Sequence, residues 1–137
     1  MSLAITPIYA ALLAVVLVGL VGRVVAARQQ TGVLLGDGGD RDLCRRQRAH
    51  GNFAEHVPIA LVLMTIAELQ GAPGLVLHGL GVTLLGARLV HAAGISREPE
   101  PPALRTIGTA ATLTVLGVAA GLVTLGSLGG GTFWRGA

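Results

Sequence analysis

Thr106–Phe133, TIGTAATLTVLGVAAGLVTLGSLGGGTF, carries no charged side chain. A bilayer crossing takes about 20 consecutive apolar residues, so this stretch reads as a membrane span and sets the reading of everything before it. Three apolar runs precede it. Ser2–Gly22 is also uncharged, and its apolar character continues past Arg23 to Ala27. A second run reaches Ala72 and contains Glu55, His56 and Glu68, with Val57–Ala67 as its charge-free centre. Leu75–Ile95 is a third, interrupted by Arg88 and His91. The expected spans are residues 3–27, 53–72, 75–95 and 105–128, within a single domain covering residues 1–137. The expected fold is an all-α integral membrane bundle of four transmembrane helices.

The composition points the same way. Hydrophobic residues make up 52% of the 137, charged residues only 12%, and mean hydropathy is +0.70. Soluble domains are about 25% charged. A chain this apolar is not disordered, and with Cys44 as the single cysteine a disulfide scaffold is excluded. Ten basic residues, all arginine, against seven acids give a net charge of +3. Such a balance can mark a nucleic-acid binder. Here the arginines cluster between apolar runs and aromatics are only 3%, so no nucleic-acid partner is expected and membrane lipids are.

Orientation follows from the arginines. A cleaved signal peptide would need a basic leader, and Met1–Pro7 has no positive side chain, so the first span is expected to remain. The loop Arg28–Gly51 contains the breaker cluster Gly36-Asp37-Gly38-Gly39-Asp40, with helix expected again from about Asp40. Pro73-Gly74 makes a tight reversal. Ser96–Pro102 is expected to be non-helical, because three prolines block it. Four spans put both termini on one side. Arg28, Arg41, Arg45, Arg46, Arg48, Arg97 and Arg105 fall on the other, which the positive-inside bias assigns to the cytoplasm. Both termini are therefore expected outside the cytoplasm.

Ionisable groups inside spans are costly and imply function. Arg45, Arg48, Asn52 and Glu55 follow an i, i+3, i+7, i+10 pattern and share a helix face. Arg88 and His91 are i, i+3, and Arg105, Thr109 and Thr112 are i, i+4, i+7. All fall toward the cytoplasmic ends of their helices, with Arg88 about 10 Å deep at 1.5 Å per residue. Facing one another, the three stripes form a positively charged, cytoplasm-facing pocket suited to a small anion. At that depth Arg88 calls for a partner, and Glu55 is expected within reach of it, as a direct ion pair or bridged by a ligand. Glu68 and His78, near the opposite ends of their spans, are assigned only an interfacial place. His50, His56 and His91 match no spaced metal motif, so no metal is expected. Cys44 lies among arginines that favour its thiolate, but a lone loop cysteine defines no site.

Arg48-Ala-His-Gly-Asn52-Phe-Ala-Glu55-His-Val-Pro58 resembles the R-x-x-x-N-x-x-E-x-x-P signature of the MAPEG family, the membrane-associated proteins of eicosanoid and glutathione metabolism. Arg88-Leu-Val-His91 is similar to the R-x-x-H of the third helix in the microsomal prostaglandin E synthase branch. Leu104-Arg105-Thr106 resembles the arginine that opens the family's fourth helix. The resemblance implies a homotrimer with glutathione as co-substrate, bound between neighbours in the cytosolic leaflet. Arg48, Asn52, Glu55, His56, Arg88 and His91 are the implied binding residues, and Arg105 the implied catalytic residue that stabilises the thiolate. Glutathione's two carboxylates suit arginine forks, a nearby guanidinium lowers a thiol pKa, and the thiolate attacks an electrophile or reduces a peroxide.

The chain departs from the family in its aromatics. Tyr9 is its single tyrosine, and His56, Ile95 and Thr109 stand where the family places tyrosines near glutathione. This pattern resembles the bacterial branch. The implied function is a membrane-bound glutathione-dependent transferase or peroxidase acting on lipophilic small molecules. The alternative is a non-catalytic lipid-binding or scaffold member of the same family. A small proton-coupled exporter, also four spans long, is the poorer fit, since it needs a glutamate in a first span that here has no acid.

Overall fold

A computed structural model describes residues 3–95, 102–129 and 134. Among them lie four helices, each long and apolar enough to cross a membrane: α1 (Thr6–Thr31), α2 (Arg41–Gln70), α3 (Gly74–Ile95) and α4 (Pro102–Leu128).

The ends of these helices are set by local chemistry. Pro7 opens α1, where a missing N–H costs nothing, and Gly32 closes it in the left-handed region at φ 71°. Asp40 caps α2, its carboxylate accepting the Leu43 N–H at 2.8 Å. Gly71 closes α2 at φ 93°, with its N–H returned to the last turn. Two boundaries differ from the sequence reading. Helix α1 runs through the polar turn Arg28–Thr31 and beyond Ala27, because its backbone bonds do not require apolar side chains. Pro102 is not a breaker but the first residue of α4, the position a proline tolerates. The expected loop at Ser96–Pro101 lies outside the described residues.

Helices cannot associate in lipid through the hydrophobic effect, so close packing and polar ties must hold them. The core is built from Leu13 and Leu20 of α1, Phe53, Ala60 and Met64 of α2, Leu84 of α3, and Val115 and Ala119 of α4. Small residues bring α3 and α4 together. A Cβ on Gly108 would lie 2.7 Å from the Ala87 carbonyl oxygen and 2.9 Å from the His91 nitrogen. The outward residues Val15, Val18, Val82 and Ile107 are exposed as lipid-facing positions should be. The chain's antiparallel course gathers the C-terminal ends of α1 and α3 with the N-terminal ends of α2 and α4. This is the loop end of the bundle; the opposite one is the terminus end.

Candidate functional site

At the loop end α2, α3 and α4 meet around Arg88. This arginine is 2% exposed. Its Nη1 donates to Asn52 Oδ1 at 2.7 Å and to the Asn52 carbonyl at 3.4 Å, while Nη2 donates to the Gly108 carbonyl at 3.1 Å. The absence of a side chain at Gly108 is what lets α4 offer that oxygen. Thr112 Oγ1 donates to the same carbonyl at 2.8 Å. His91, one turn along α3, is also buried, with Nδ1 3.3 Å from Thr109 Oγ1 and 3.4 Å from the Arg105 carbonyl.

The three stripes thus converge, but not all of their residues turn inward. Asn52, Arg88, His91, Thr109 and Thr112 form the cluster. Arg48, Glu55 and Arg105 are exposed, and Arg45 is half-buried. His56 is half-buried, its Nδ1 2.8 Å from the Asn52 carbonyl. Arg105 lines a shallow cleft of about 350 Å³ with Thr106, Thr109, Ala110 and Leu113.

The direct ion pair expected between Arg88 and Glu55 is corrected by this geometry. Glu55 lies on the face of α2 directed away from Phe53, Val57 and Ala60, and Asn52 holds the guanidinium in its place. At 100° per residue Asn52 and Glu55 stand about 60° apart around α2, and it is Asn52 that meets Arg88 of α3. Among the described residues no carboxylate contacts Arg88. Its Nε and the Nε2 of His91 are buried without a hydrogen-bond partner. Buried polar atoms are nearly always paired; among the described residues Thr6 Oγ1, Gln70 Oε1 and Trp134 Nε1 are unpaired as well, and what sets the Arg88–His91 pair apart is that it accompanies a buried cation with no carboxylate in contact.

The terminus end contains polar contacts that the sequence reading missed. Glu68 is 8% exposed. Its Oε1 accepts the N–H groups of Ala4 and Ile5, both at 2.7 Å, and its Oε2 accepts that of Thr6 at 2.8 Å. A carboxylate on α2 therefore caps α1, where the helix dipole favours negative charge. Tyr9 Oη lies 2.9 Å from His78 Nδ1, with the rings edge to face. The tyrosine ring covers Gly81, where any Cβ would strike it. The chain's single tyrosine thus stands at the end opposite Arg88. A glutamate one turn before a helix-ending glycine was the available signal for the cap; nothing in the sequence marked which amides it would find.

Outside the spans, Asp37 Oδ1 accepts the Gly39 N–H at 3.0 Å, and that bond lowers the Asp37 carboxyl below its ordinary value.

Four membrane-length helices, with an arginine and a histidine turned inward at one end, define a class of small polytopic membrane proteins with a polar site at a bundle end. The MAPEG family profile matches residues 6–125, and the chain belongs to that family. It is 41% identical over 90 residues to the inner membrane protein YecN of Escherichia coli strain K12, covering 66% of this chain and 69% of that protein. The protein of the same name from Escherichia coli O6:H1 gives the same figures.

Proposed function

We propose that the protein is a glutathione-dependent transferase or peroxidase of the bacterial inner membrane, acting on lipophilic electrophiles or hydroperoxides. The observation that carries this reading is the buried Arg88–His91 centre, cationic and without an acid partner among the described residues, beneath the family's R-x-x-x-N-x-x-E motif on α2. Arg88 is a positioning residue here. It is closed off from solvent and acts through Asn52, whose side-chain oxygen it fixes. The exposed Arg48, Glu55 and Arg105 make the direct contacts, with His56 and His91 bordering them. Arg105 holds the sulfur as thiolate, and the thiolate attacks the substrate.

The site is completed by a second copy in a homotrimer. Along α2, Arg41, Arg45, Arg48, Asn52, Glu55, Ile59, Val62, Ile66 and Leu69 succeed one another at alternating steps of four and three. That is the spacing of a helix–helix seam, and Ile59, Val62, Ile66 and Leu69 are 37–51% exposed. A polar seam at the loop end and an apolar one beyond it support packing of α2 against α2, with glutathione between neighbours. The termini lie in the periplasm and the loop end in the cytosol, as the arginines indicate.

A second reading rests on one feature. A groove of about 260 Å³ between α1 and α2, lined by Ala10, Ala14, Leu17, Phe53, Pro58 and Leu61 among others, is almost wholly apolar. It favours a lipid-binding role without chemistry, as does the absence of tyrosine at the loop end. The deciding experiment titrates the purified protein with glutathione and then assays chlorodinitrobenzene and an organic hydroperoxide. The enzyme reading expects binding at millimolar concentration and turnover of at least one substrate. Arg105→Ala should retain partial binding and lose nearly all turnover. A protein that neither binds glutathione nor turns over either substrate, yet carries a defined lipid in mass spectra, establishes the second reading instead.

A further inference from the structure

Residues 32–40, which join α1 to α2, are held by the side chains of Arg28 and Gln47. Arg28 Nη1 donates to the carbonyls of Val33 at 3.0 Å and Gly36 at 3.2 Å, gripping the chain on both sides of Leu34-Leu35. Gln47 Nε2 donates to the same Gly36 oxygen at 2.7 Å. Its neighbour Arg46 reaches back to the Arg23 carbonyl of α1 at 3.1 Å, which aligns the second turn of α2 with the closing turns of the apolar part of α1. The loop is thereby drawn back along the bundle instead of rising away from it. The carbonyls on either side of Leu34-Leu35 are thus tied to Arg28, the residue that follows the end of the apolar run of α1 at Ala27, and to Gln47.

Both leucines are nearly bare, 90% and 92% exposed, more so than the lipid-facing Val15 and Val18 at 72% and 71%. Two adjacent leucines on a loop pinned in place are a surface made for contact. Their surroundings identify the partner. Arg28 grips the loop itself, and in the flanking sequence Arg41, Arg45, Arg46 and Arg48 outnumber Asp37, Asp40 and Asp42, with Arg46 paired to Asp42, so the chain on the two sides of the tip is net positive. An apolar tip flanked by net positive chain, tied to the residue after the apolar run of α1, matches the boundary between acyl chains and anionic headgroups.

We propose that Leu34 and Leu35 form an interfacial anchor that inserts into the leaflet at the loop end, with anionic phospholipid as its partner. Through Gln47 and Arg46 the anchor fixes the depth of the α2 segment that carries Arg45 and Arg48. The proposal is independent of what the polar site binds.

A nitroxide placed by Leu35→Cys in a Cys44→Ser background, with the protein in phosphatidylglycerol–phosphatidylcholine vesicles, reads the depth directly. Oxygen should relax the label severalfold more effectively than a water-soluble nickel chelate does. The position should read shallower than the same label at Val15→Cys. Leu34→Cys should report the same depth if the first variant assembles poorly. In phosphatidylcholine alone the immersion should decrease. A label open to the nickel chelate would overturn the anchor. So would a label shielded from both reagents, which is the signature of a second copy covering the tip. Immersion unchanged without phosphatidylglycerol would overturn the anionic partner.

Discussion

Glu68 and Arg88 are both buried charges in a membrane bundle, one at each end, and they are treated differently. Glu68 is closed: three consecutive backbone amides of the same chain meet its two oxygens. Arg88 is left incomplete, bonded to neutral oxygens of Asn52 and Gly108, without an acid partner among the described residues and with its Nε unpaired beside an unpaired His91 Nε2. A charge that the fold satisfies fully is architecture. A charge kept dry and uncompensated leaves a field for something else to answer, and the exposed Arg48, Glu55 and Arg105 stand where that answer would be made.

If the contrast holds, the largest single effect on stability lies at the closed end. Glu68→Ala takes the acceptor from three amide donors, that of Thr6 buried and those of Ala4 and Ile5 part-buried, and a buried unsatisfied donor costs about 1–3 kcal/mol. Unfolding in detergent should show a loss of about 3 kcal/mol; a loss below about 1 kcal/mol would erase the distinction between the two ends. Next comes Arg48→Ala at the open end. It should leave unfolding unchanged within about 0.5 kcal/mol while weakening glutathione binding roughly tenfold or more, the value of one charge-assisted contact.

A third effect sharpens the picture of Arg88. Arg88→Met removes the desolvation of a lone cation along with its bonds, so the net cost to the unliganded protein should be about 1 kcal/mol or less. In double-mutant cycles it should couple to Asn52→Ala by about 1 kcal/mol and add independently to Glu55→Gln. Coupling to Glu55 instead would mean that the assembled protein turns that residue toward α3. The smallest effect is in the loop. The Asp37 carboxyl is lowered in the folded protein, so its bond to Gly39 supports the turn above the ordinary carboxyl value of 3.8 and weakens as pH falls below it. The protection of the Gly39 amide relative to its intrinsic exchange rate should therefore fall in acid, and Asp37→Asn should remove that pH dependence.

The sequence announced the helices because that signal is local: apolar runs act within a few residues, and helix is expected again from about Asp40. The family motif was legible for the same reason, since Arg48, Asn52, Glu55 and Pro58 lie on one helix. The closing glycines Gly32 and Gly71 and the cap at Asp40 are just as local, and the sequence reading passed over them. What stayed hidden depends on the distant chain. That Glu68 would find the amides of residues 4–6 requires knowing how α1 and α2 lie together. That Asn52, and not Glu55, would receive Arg88 turned on helix rotation, which spacing within α2 alone does not fix relative to α3. Pro102 misled because a proline both ends and begins helices, and only the backbone before it decides which.

Gly108 has a consequence for how the protein is made. Its carbonyl oxygen, reachable because no side chain stands over it, is one of the acceptors that make Arg88 tolerable in the membrane, and it lies on α4. Ribosomal synthesis delivers α3 first. Until α4 follows, α3 presents a charged residue to the translocon, which resists an arginine at a helix centre by about 2.5–3.5 kcal/mol. Asn52 on α2, already made, offers Arg88 its first acceptor, and a hairpin of α3 and α4 leaving the translocon together would add the Gly108 oxygen as its second.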